Sequence, residues 1–115
     1  MTIALVLLAL AALGGVTMAT MRLRGAERPP TALALVHGAA AAAGLIALIV
    51  AVMGMPTPGL GRTALLVLIV AALGGFFLFA MHMQGKALPI PVMVIHGLVA
   101  VVGFLILVVA VTHAA

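Results

Sequence analysis

Ala11-Ala12-Leu13-Gly14-Gly15 stands inside one long apolar run, and the same five residues return as Ala71-Ala72-Leu73-Gly74-Gly75 inside another. Met21 returns as Met81. Further along, His37-Gly38, Ala41 and Gly44 are matched by His96-Gly97, Ala100 and Gly103. Leu48, Val50, Ala51 and Val52 are matched by Leu107, Val109, Ala110 and Val111. Rare residues align along with common ones, so apolar low complexity accounts poorly for the match. The chain reads as a tandem repeat with units at about 2–53 and 62–112.

Each unit holds two apolar runs, about 2–21 and 31–53 in the first and about 63–83 and 90–112 in the second. A helix needs ~20 apolar residues to cross ~30 Å of hydrocarbon, so each run is one span. Composition demands the same. Of 115 residues, 68% are apolar and 5% charged, with a mean hydropathy of +1.55. A soluble domain clothes itself with charge on roughly a quarter of its residues. This chain has no such covering, so its outer surface faces lipid. Helices are required because a spanning backbone must satisfy its own hydrogen bonds, and four strands cannot close a barrel. The first run has no Lys or Arg ahead of it and its pattern recurs mid-chain, so it reads as a mature helix rather than a cleaved leader.

Breakers separate the runs: Gly25, Pro29 and Pro30; then Gly54, Pro56, Pro58, Gly59 and Gly61; then Gly85, Pro89 and Pro91. Thr31 and Thr63 are the expected N-caps. Short joins make neighbouring helices antiparallel. The expected fold is an all-α membrane protein, a single domain over 1–115. Four transmembrane helices form an up-down-up-down bundle from two tandem hairpins, related by a pseudo-two-fold axis along the membrane normal. Loops 22–30 and 84–89 then share one side, and both termini plus loop 54–62 share the other. The first side carries Arg22, Arg24, Arg28 and Lys86, the second only Arg62. The positive-inside rule puts the hairpin loops in the cytoplasm and both termini outside a plasma (inner) membrane.

Several functions are excluded by what is missing. Without cysteine there is no disulfide, no thiolate metal site and no covalently attached haem. The formal charge of +4 is spread over loops and gives no reason to expect nucleic acid. No serine or aspartate, no paired carboxylates and no phosphate-cradling loop are present for hydrolysis or group transfer. The sole acid, Glu27, sits between Arg24 and Arg28, where a surface ion pair is expected.

Depth singles out two residues. His37 lies about six residues into the second helix and His96 equivalently into the fourth, which is ~9 Å inside the helix end. The pairs Gly14-Gly15 and Gly74-Gly75 lie about as far back from the ends of helices 1 and 3, at the same level. Helices 2 and 4 are diagonal in such a bundle, so the two imidazoles point at one another across its centre. Ala41 and Gly44 follow on the face of His37, and Ala100 and Gly103 on that of His96. Small residues on every side leave a flat space that a porphyrin would fill, each imidazole taking one axial position on iron.

These residues resemble the respiratory cytochrome b family, whose haems sit in a four-helix bundle between histidines of the second and fourth helices, with glycines on the first and third. His37 and His96 fall at the ligand positions, and Gly14 or Gly15 and Gly74 or Gly75 at the glycine positions. The resemblance implies one haem b and an electron carrier or oxidoreductase subunit rather than a stand-alone enzyme, with quinone or a redox protein as partner. That family places a second histidine deeper on each ligand helix; here Ala51 and Ala110 stand fourteen residues on, so a second haem is not expected. Propionates would point toward the nearer side, where Arg22 and Arg24, or His82 and Lys86, are placed to meet them.

Other readings stay open at this point. Glycines at four-residue spacing commonly let membrane helices approach, which fits a cofactor-free accessory subunit or a homo-oligomer. His37, His96 and His82 with Met18, Met21, Met81, Met83 and Met93 suit copper, since imidazole and thioether favour Cu(I). His37 and His96 could each instead hydrogen-bond a backbone carbonyl or a threonine, or sit near the headgroups. His82 otherwise reads as an interfacial side chain, and His113 as a helix end in water.

Overall fold

The structure is a computed structural model that describes residues 1–56 and 59–113. Among the described residues it contains four helices: α1 Thr2–Leu23, α2 Thr31–Met53, α3 Leu60–Met83 and α4 Ile90–Thr112. All four are long and apolar enough to cross a membrane. Together they form a bundle of 45 × 20 × 19 Å. α1 lies against α2, α3 against α4, α1 against α4 and α2 against α3. Across either diagonal no Cα pair comes within 8 Å among the described residues. This is the up-down-up-down arrangement, with α2 and α4 diagonal.

Large apolar side chains are outside. Leu13 is 68% exposed and Phe76 71%, a distribution that water would not tolerate over so large an area and lipid would. Inside, small residues alternate with leucine: Ala4, Ala11, Ala64, Ala71 and Ala110 are buried beside Leu8, Leu48, Leu68 and Leu107. Lipid tails are as apolar as leucine, so helices associate here through close van der Waals contact, which small residues permit. Contacts recur in matching pairs: Gly44 sits on Leu8 as Gly103 sits on Leu68, and Leu48 and Leu107 are both fully buried.

Two separate clusters form the core. Ala4, Leu8, Leu48, Ala64, Leu68 and Leu107 fill the end that holds the N-terminus and the α2–α3 join. Leu78, Leu88 and Met93 fill the hairpin-loop end. The level of His37 and His96 lies between them.

At the loop end α1 and α3 stop in the same way. Gly25 and Gly85 have φ of +111° and +73°, the left-handed region that suits a residue without a Cβ. Ala26 N–H reaches the Met21 carbonyl and Lys86 N–H the Met81 carbonyl, both at 3.1 Å, closing paired Schellman turns. The two loops then interlock. Arg22 Nε donates to the Leu88 carbonyl at 2.9 Å, and Leu88 N–H donates to the Glu27 carbonyl at 3.0 Å.

Some boundaries differ from the sequence reading. α3 begins at Leu60 behind Gly59, so Thr63 is inside the helix and caps nothing. Pro30 rather than Thr31 occupies the N-cap of α2. Pro91 opens the first turn of α4, where its missing N–H costs nothing. Pro58 lies outside the described residues.

Candidate functional site

Each histidine is oriented by its own hairpin. His37 Nδ1 lies 2.7 Å from the Ala11 carbonyl of α1, and His96 Nδ1 lies 2.7 Å from the Ala71 carbonyl of α3. A carbonyl only accepts, so Nδ1 carries the proton and donates. That fixes the tautomer in which Nε2 presents its lone pair, the arrangement by which a metal-binding histidine is ordinarily held from behind.

The glycine pairs explain how an imidazole comes so close to a neighbouring helix. A Cβ on Gly15 would stand 3.2 Å from His37 Cε1, and one on Gly75 would stand 3.1 Å from His96 Cε1. At Gly14 and Gly74 the nearest atoms are the histidine Cβ atoms at 3.5 and 3.4 Å. The pairs therefore make room for the histidine rings themselves. Gly44 and Gly103 serve another purpose: a Cβ there would meet Leu8 Cγ at 2.7 Å and Leu68 Cγ at 2.8 Å. They bring the hairpin helices together below the histidines. Ala41 and Ala100 are half-buried one turn above them.

The two rings meet across the bundle, centroids 6.4 Å apart and planes at 88°. A metal–imidazole bond of about 2.0 Å plus about 1.1 Å from nitrogen to ring centre, doubled, gives a spacing of about 6.2 Å for two imidazoles on opposite sides of one metal. The observed centroid separation is close to this value, with the two rings edge to face. No third His, Cys, Asp or Glu joins the two in a metal-sized group among the described residues. His82 in particular stands apart, and of the methionines Met93 is committed to the loop-end core while Met83 is 63% exposed.

The residues assigned to the loop end have different fates. Arg22 is spoken for, with Nε on Leu88 and Nη1 on the Ala26 carbonyl at 3.5 Å. Arg24 and Lys86 are exposed. His82 is buried within the bundle at 4% exposure rather than open to its surroundings. Its Nε2 is 3.0 Å from the Thr31 hydroxyl, and its carbonyl accepts from Arg28 Nη1 at 3.4 Å. Glu27 contributes its backbone carbonyl to the interlock, and His113 is exposed at the end of α4 as expected. The sequence reading allowed a backbone carbonyl as the partner of each histidine but did not single out Ala11 and Ala71; their place in the repeated block was the available signal. It also missed Thr31 and Arg28 as partners of His82.

No protein-family model, no curated protein and no solved structure matches this chain.

Proposed function

We propose that the chain is a small b-type cytochrome that holds one haem between His37 and His96 and carries electrons within the membrane. The observation that supports this is the histidine pair itself: two imidazoles held in the tautomer that leaves Nε2 free, with ring centroids 6.4 Å apart, between the two core clusters. Bound there, the haem would supply a one-electron couple. The chain's residues do the rest. Ala11 and Ala71 hold the rings in place, and Gly15 and Gly75 let them lie close against α1 and α3. The aliphatic shell and surrounding lipid keep water out. Exchange with quinone or with a partner oxidoreductase fits a carrier of this size. The charge on the hairpin loops favours a topology with those loops in the cytoplasm and both termini outside a plasma (inner) membrane.

A reduced-minus-oxidised visible spectrum of protein produced with ample haem tests the reading. A b-type α band is expected from the native chain and lost from His37→Ala and His96→Ala. Colourless native protein, or a band that survives both replacements, overturns it.

The same ring spacing would also suit a bare metal ion, and two imidazoles satisfy Cu(I). Copper without porphyrin on elemental analysis would carry that alternative. The tight seats of Gly44 on Leu8 and Gly103 on Leu68 favour a third reading, a cofactor-free packing subunit. It predicts that histidine replacement leaves assembly intact.

A further inference from the structure

At the loop end a cleft of about 470 Å³ opens beside the start of α2, lined by Glu27, Arg28, Pro30, Thr31 and His82, with Met21 beneath. Three observations there are not absorbed by the electron-transfer reading. Pro30 caps α2 without a side-chain hydrogen bond, so the first-turn N–H groups have no intrahelical partner and carry the positive end of the helix dipole. His82 is 4% exposed and lines the cleft, yet its Nδ1 has no hydrogen-bond partner. A buried ring nitrogen left unpaired is a group the fold has not satisfied from within. Finally, the only carboxylate in the chain, Glu27, shares this cleft with the Arg28 guanidinium.

Depth identifies the kind of ligand. Helices of 22 to 24 residues span about 33–36 Å, slightly more than the hydrocarbon core, so the first residues of α2 lie among lipid headgroups. A simple anion would use Arg28 and the α2 N-terminus but would be repelled by Glu27. A simple cation would have the opposite difficulty. A ligand with both charges uses every group.

We propose that this cleft binds the phosphoethanolamine headgroup of a membrane lipid. The phosphate takes Arg28, the α2 first turn and the ring of His82, and the primary ammonium donates to Glu27. Choline lacks the N–H donors for the Glu27 contact, and glycerol lacks the charge. Phosphatidylethanolamine is therefore the preferred lipid over phosphatidylcholine and phosphatidylglycerol.

Native mass spectrometry on the full chain, from vesicles holding equal parts of the three lipids, tests this. Retained phosphatidylethanolamine adducts should exceed each of the others about fivefold. Glu27→Gln should bring ethanolamine and glycerol lipids to parity, and Arg28→Gln should lower all retention severalfold. Arg24→Gln, outside the cleft, should change nothing. Equal retention of the three lipids by the native chain overturns the proposal, as does a preference that survives Glu27→Gln. Arg28 also bonds the His82 carbonyl, so if Arg28→Gln fails to fold, the exposed Glu27 side chain decides the question alone.

Discussion

His37 and His96 bring their ring centroids to 6.4 Å although α2 and α4 never approach within 8 Å between Cα atoms. Only side chains cross the bundle at this level, and each is steadied by the helix beside it rather than by the helix opposite.

The glycines beside each histidine should respond unequally. Gly14→Ala puts a methyl at ordinary contact, 3.5 Å from His37 Cβ, and gains about 1 kcal/mol of helix propensity in the process. Gly15→Ala puts one 3.2 Å from His37 Cε1 and turns the ring off the Ala11 carbonyl. If the proposed haem is bound, its content per chain, measured as the pyridine haemochrome, should be unchanged in the first and fall severalfold in the second. An equal response would sever the link between glycine spacing and ring orientation.

Gly44→Ala should cost more stability than Gly103→Ala. Both added methyls collide with a leucine, but at Gly44 the Leu8 backbone nitrogen also lies at 3.2 Å and cannot rotate away. At Gly103 the third neighbour is Val67 Cγ1. Overpacking costs roughly 1–3 kcal/mol, with Gly44 toward the upper figure. Unfolding in mixed micelles of rising SDS fraction measures the difference.

How much of this was legible in the letters depended on whether local pattern or neighbouring helices decided the outcome. Run length and hydropathy fix the four spans, and the breakers fix where they end to within about three residues. The start of α3 was misplaced because Gly59 caps it, while Thr63 carries the more familiar capping side chain. Depth along a helix is also readable, which is how His37 and His96 could be set at one level. Helical face alone misled at Gly44 and Gly103. They share a face with the histidines, but Leu8 and Leu68 from the adjacent helices occupy the space, and that register is not written within α2 or α4. His82 looked exposed because it ends a span; its burial goes with contacts from Arg28 and Thr31 at the α1–α2 join.

Thr31→Val should destabilise the loop end by about 1 kcal/mol, because it leaves both ring nitrogens of buried His82 without partners. Thr31→Ser should be close to native. Adding His82→Phe to Thr31→Val should recover much of the loss, since removing both partners of a buried hydrogen bond is cheaper than removing one. A double mutant no better than Thr31→Val alone would mean the contact is not what the change disrupts.

Arg22→Ala should loosen the interlock of the two loops, removing the 2.9 Å bond to the Leu88 carbonyl at a cost of about 1–2 kcal/mol. Amide hydrogen exchange should quicken first at Leu88, whose N–H is held by Glu27, and leave the opposite end protected. Uniform acceleration along the bundle would count against a local role.

The pairing of His37 with Ala11 and of His96 with Ala71 has a consequence for connectivity. Each hydrogen bond closes inside its own hairpin, so the stretch between Met53 and Leu60 contributes chain continuity without aiming either ring. Two fragments cut in that stretch would each retain the complete support of one imidazole. Only the mutual approach of the halves would have to be regained when they associate in a bilayer.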